Sequence, residues 1–154
     1  MTLIRGYRLK HERGLMSERG AAMLETALTL PLLLLIAVGI FDFGRAYQTW
    51  QVLTNAAREG ARVAVLPGAT STGARTRVQA YLTSGQIPNP TSATVVVTIE
   101  SIDIGGGATA GASRVTVNYP YSFIALGPIA RMVRSGSTAG APLTMSASAV
   151  MRNE

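Results

Sequence analysis

The sequence predicts an α+β protein in which one long N-terminal helix, apolar enough to cross a membrane, is followed by a small three-stranded antiparallel sheet. Three observations carry this. Residues 26–41 read TALTLPLLLLIAVGIF without a charge. Small and apolar residues then recur at helical spacing as far as Leu66, and three segments after residue 93 are β-branched or alternate with period two. A chain of 154 residues, 47% of them hydrophobic, supports one compact core beside such a helix, and not two.

Residues 1–20 form a basic leader. Arg5, Arg8, Lys10, Arg13 and Arg19 stand there against Glu12 and Glu18. The remaining arginines, Arg45, Arg58, Arg62, Arg75, Arg77, Arg114, Arg131, Arg134 and Arg152, are scattered, with no dense run and little aromatic interleaving. Nucleic acid is therefore not an expected partner. The chain has no cysteine and a single histidine, His11, in the leader. That excludes a disulfide frame, thiolate metal sites and the usual hydrolase triad.

Residues 21–44 form the span. With residues 21–25 and 42–44 added to the uncharged run, the stretch reaches the roughly 20 residues that cross a bilayer. Basic residues crowd its N-terminal side, while Asp42 and Arg45 nearly cancel on the other. The positive-inside rule then places the N-terminus in the cytoplasm and the bulk of the chain outside it, with Tyr47 and Trp50 where interfacial aromatics sit. Two rivals stand beside this reading. One is a buried core helix, for which the run is too long and too uniformly apolar. The other is a cleaved secretory signal, with residues 28–36 as its apolar region and Ala37-Val38-Gly39 as a small-x-small site. Against the signal stand the long leader, Glu25 within the apolar run, and a helical pattern that continues beyond the cut. Pro31 removes one backbone donor and leaves the carbonyl of Ala27 unpaired, so a kink or local melting is expected unless a neighbour fills in.

Residues 45–66 continue the helix as a stalk. From Ala21 to Leu66 it would measure roughly 70 Å at 1.5 Å per residue. Ala56, Gly60 and Ala64 make a small-residue seam that permits close backbone approach, either to the protein's own sheet, the favoured partner, or to another subunit. Arg58, Glu59 and Arg62 read as a solvated face with weak ion pairs.

Residues 67–154 form a small α+β domain. The turn-rich residues 67–73 break the rod, residues 74–83 form a short helix, and Ile87-Pro88-Asn89-Pro90 is a linker. The strands are residues 94–104, residues 114–119 with Val115, Val117 and Tyr119 on one face, and residues 143–151 with Leu143, Met145, Ala147 and Ala149 inward. Residues 105–113, rich in Gly and Ala, read as a flexible hairpin loop; a phosphate cradle would need a helix start after it, and a strand follows. Residues 121–133 are apolar and contain Pro128 and two arginines; they cover the sheet, a partner or the membrane surface. Glu100 and Asp103 fall on opposite faces of a strand, so paired acid and base chemistry is not expected. Neither a cofactor nor a metal site is expected, and the chain does not read as an enzyme.

The junction Ser17-Glu18-Arg19-Gly20-Ala21-Ala22-Met23-Leu24-Glu25 resembles a type IV prepilin cleavage site. The resemblance implies that a membrane aspartyl peptidase cuts between Gly20 and Ala21, and that Glu25, at the fifth mature position, serves assembly. Ala21 departs from the Phe with which major pilins begin. Physical chemistry supplies a parallel reason. A carboxylate in an apolar membrane helix costs up to about 3 kcal/mol near the bilayer centre, less towards the end. A free amino group on Ala21 of one subunit, created by the cut, would offset that cost by pairing with Glu25 of the next. The other reading has Glu25 reaching back to the cytoplasmic surface, about 6 Å of helix away.

Residues 18–67 are more specifically similar to the TadE-like family of the tight-adherence (Tad) pilus machinery. The matching features are the Gly before the helix, the carboxylate soon after, Leu30-Pro31, the exit Asp42-Phe43-Gly44-Arg45 and the block Ala56-Ala57-Arg58-Glu59-Gly60-Ala61-Arg62. The ending Ala149-Val150-Met151-Arg152 with Glu154 also resembles the family's. The resemblance implies a pilin-like fold and a membrane-anchored minor pilin or pseudopilin that takes part in assembling a Tad-type adhesive pilus. Its partners would be other pilins, the prepilin peptidase, the inner-membrane assembly platform and membrane lipid. Its place would be the bacterial inner membrane, single-pass, with possible entry into a surface fibre. The alternative is an uncleaved membrane-tethered module that displays the sheet domain for a ligand.

Overall fold

The computed structural model describes residues 12–153. Arg5, Arg8, Lys10, His11 and Glu154 lie outside them. The chain divides into two units, one ending at Ile40 and the other running from Phe41.

Helix α1 spans Glu12–Ala64. It starts well before Ala21, so Gly20 lies inside it, and it runs through Pro31 without interruption. The expected melting at Pro31 does not occur. Nothing in its most apolar window is buried: Met23, Leu24, Leu28 and Ile36 are all exposed. The window is thus not the core helix of a soluble domain; it is one candidate membrane span among the described residues, fit for the role by length and composition.

The unit from Phe41 onward is built on the C-terminal part of α1. Leu53, Ala56, Ala57 and Ala61 are fully buried, and they recur at the spacing that keeps one helix face against a neighbour. Helix α2, Ser71–Ser84, adds Ala74, Val78 and Leu82. It starts where the sequence breaks the rod, its first turn held by Thr70, whose Oγ1 accepts from the Gly73 N–H at 3.1 Å. A 3-10 turn at Pro90–Ser92 leads into the sheet.

The sheet has the order β1-β2-β3, all antiparallel. Strand β1 is Thr94–Gly105, β2 Ala108–Tyr121 and β3 Leu143–Arg152. The centre strand carries the core alternation: Val115, Val117, Tyr119 and Tyr121 are buried, joined by Ala147 from β3. Met145 and Ala149 pack on the same core half-buried, whereas Leu143 lies at its rim, 40% exposed. The Gly/Ala-rich stretch expected to be a long loop is mostly strand. Ala108 to Ser113 pair with β1, and the turn contracts to Gly105, Gly106 and Gly107, all with positive φ. Backbone pairing with β1 replaces side-chain propensity here, and becomes two-sided at its end: Ala112 also lies opposite Arg152, and the Asn153 N–H donates to the Gly111 carbonyl at 2.9 Å. Residues 121–133 resolve into the end of β2 and a helix α3, Leu126–Val133.

Candidate functional site

The N-terminal candidates lie along a single helix. At Gly20 an added Cβ would meet nothing within 4 Å, so no packing explains a glycine there. Ala21 and Glu25 are exposed and four residues apart, hence on one face of α1. The Glu25 carbonyl accepts from the Thr29 hydroxyl at 2.9 Å, while its carboxylate has no hydrogen bond or ion pair among the described residues. A carboxylate facing outward from an apolar surface of this length is an unanswered charge once lipid replaces water. Pro31, further along, is also exposed.

The small-residue seam lies elsewhere. Ala56 is fully buried and Ala64 half-buried. A Cβ at Gly60 would stand 2.4 Å from Val78 Cγ2 and 3.1 Å from Val115 Cγ1. The seam therefore packs on α2 and β2 of the same chain. The neighbouring charged face is partly engaged across elements. Glu59 accepts from Arg77 of α2 through Nη2 at 2.9 Å and Nε at 3.2 Å, with Arg62 at 3.6 Å. The Arg77 hydrogen bonds hold its carboxyl below the usual carboxylate range, against the opposing effect of desolvation.

The carboxylates of the sheet are occupied structurally. Glu100 receives a two-point contact from Arg114, both distances 2.9 Å. Asp103 accepts from the Gly105 N–H at 2.8 Å and so fixes the hairpin turn.

One residue was read from the sequence as a flanking charge and as part of the acidic-Phe-Gly-Arg exit, with no structural role. Asp42, next after the uncharged run, is 3% exposed. Its carboxylate accepts the backbone N–H groups of Ile124 at 3.3 Å, Ala125 at 2.9 Å and Leu126 at 2.8 Å. These are donors at the start of α3 that no side chain of that helix caps. The Tyr121 hydroxyl donates to the Asp42 carbonyl at 3.2 Å, and Phe43 meets Phe123 edge-on at 5.8 Å. Arg45 stands near the Tyr119 and Tyr121 hydroxyls, whose pKa values are raised by burial. The exit sequence Asp42-Phe43-Gly44-Arg45 is thus the clasp between α1 and the segment after β2. Its only sequence signal was the acidic-Phe-Gly-Arg pattern, which does not reveal its partners.

An exposed apolar helix leading into a small α+β unit, with a carboxylate set among its first apolar turns, defines a protein with one candidate membrane anchor. Residues 20–62 match the family model described as TadE-like protein, the family that residues 18–67 resemble. The match covers Gly20, Glu25, Pro31, the Asp42 exit and the Gly60 block. No curated protein and no solved structure matches the chain.

Proposed function

We propose that the protein is a minor pilin or pseudopilin of the inner membrane that takes part in assembling a Tad-type, type IV-related adhesive pilus. Its N-terminus is cytoplasmic and its sheet domain extracytoplasmic. The prepilin peptidase removes the leader after Gly20, and the anchor then contacts other pilins and the assembly platform within the lipid. The role is structural, and the protein is not an enzyme. The observation that carries this reading is the family match over residues 20–62, on a helix that bears an exposed, unanswered Glu25. The new ammonium of Ala21 on a neighbouring subunit is the group proposed to answer it.

The second reading is an uncleaved tethered module for a ligand or exported partner. The position of Gly20 within α1 favours it, since a peptidase must unwind a helix to reach its bond. Glu25→Ala separates the two. In a pilus-forming host the variant should insert normally yet leave surface fibres reduced by about tenfold or more. Normal fibre yield with the variant would count against the assembly role.

A further inference from the structure

We propose that α3 is an interfacial helix, resting on the anionic phospholipid head groups of the leaflet from which α1 emerges. The inference relies on α1 crossing the membrane. Its first support is position. The donors that begin α3 are bound to the Asp42 carboxylate, and Asp42 directly follows the last residue of the uncharged run, about 1.5 Å along the helix axis. An element clasped there begins where acyl chains give way to head groups.

Its second support is the surface of α3. Pro128 and Met132, one helical turn apart, are both exposed, Met132 by 87%, and Ile124 just before the helix is exposed as well. Val133 beside them is 85% exposed, and Phe43 and Tyr47 of α1 add further exposed apolar surface. Phe43 touches Phe123 by one ring edge only and stays 61% exposed, and on the other side of α3 Leu126, Ile129 and Ala130 are half-buried. The third support is charge. Arg131 and Arg134 interleave with the exposed apolar residues, and residues 104–153 contain no Asp or Glu. The one carboxylate placed at α3, that of Asp42, is 3% exposed and taken up by three backbone N–H groups, so exposed apolar side chains flanked by arginines suit a negatively charged lipid surface. The close crossing of Gly127 and Gly140, where a Cβ on Gly140 would lie 2.4 Å from the Gly127 nitrogen, fixes the other side of α3 against its own loop and leaves this stripe outward.

The chain has no cysteine, so single-cysteine variants can report depth. Met132→Cys, Thr98→Cys and Leu33→Cys, each carrying an environment-sensitive fluorophore, are placed as full chains, one per nanodisc of phosphatidylcholine and phosphatidylglycerol. Lipids bearing a nitroxide at a shallow or a deep acyl position serve as quenchers. The label at position 132 should emit to the blue and be quenched about twofold more by the shallow nitroxide than by the deep one. The label at position 98 should be unquenched, and the label at position 33 quenched most by the deep nitroxide. An unquenched label at 132 beside a quenched label at 33 overturns the interfacial helix and leaves the span standing. Loss of quenching at both removes the span as well. A blue shift at 132 that needs two copies per disc and occurs without lipid quenching assigns the stripe to a second copy and also overturns the proposal.

Discussion

Asp42 joins positions 82 to 84 residues apart in the chain through three backbone N–H groups. A buried carboxylate is tolerable when its lone pairs are satisfied in this way, and its loss leaves the donors unpaired. Asp42→Ala should therefore free the start of α3, at a local cost of about 2 kcal/mol, or ~30-fold faster hydrogen exchange at the Ala125 and Leu126 amides. Asp42→Asn, which keeps one acceptor oxygen, should lie between. Unchanged exchange at those amides in the alanine variant would remove the clasp. Glu59 is a gentler case because it is half-buried at the surface and screened by solvent. Its carboxyl is held low chiefly by Arg77, so its contribution is fully present above the unperturbed value of 4.5 and is lost as pH falls through the lower folded value. The stability difference between the protein and Glu59→Gln should be constant above that pH and shrink below it, as followed by denaturant titration of Trp50 fluorescence. A difference that grows on acidification contradicts the assignment. Gly20 and Glu25 could be singled out in the sequence because the pattern they belong to is local. The role of Asp42 was not, because backbone N–H groups have no residue signature and lie some eighty positions away.

Helix α1 and the sheet meet through residues too small to keep them apart. At Gly60 the approach is closest, and the Val78 and Val115 methyl groups that a new Cβ would strike belong to fully buried side chains. Overpacking of this kind costs about 1–3 kcal/mol, offset by about 1 kcal/mol of helix propensity gained on leaving glycine. Gly60→Ala should consequently lower stability by up to about 2 kcal/mol in the same fluorescence titration, and a stabilised variant would show that the seam is loose. The three strands were readable because alternation at Val115, Val117 and Tyr119, and at Met145, Ala147 and Ala149, is a period-two signal that burial enforces. Residues 108–113 were misread as loop because Gly and Ala lack strand propensity, and pairing with β1 throughout, joined by β3 from Ala112, outweighs that lack. The beginning of α1 was also misplaced: helical continuity through Glu12 to Gly20 carries no apolar periodicity that would announce it.

At the scale of the whole molecule, charge and apolar surface are separated along the chain. Five basic residues stand against two acids before Ala21, a long uncharged run follows, and the last fifty described residues hold no acid at all. That order is the charge asymmetry on which the proposed direction of the anchor rests. It was legible from composition alone, because it depends on the sum of charges and not on packing. What the anchor is for depends on whether its leader is removed, since only a cut after Gly20 creates the ammonium that is to answer Glu25. The direct test is the intact mass and N-terminal sequence of the full-length protein purified from membranes of cells with and without the prepilin peptidase. The account predicts a chain beginning at Ala21 when the peptidase is present and at Met1 when it is absent; a chain beginning at Met1 in both would contradict it.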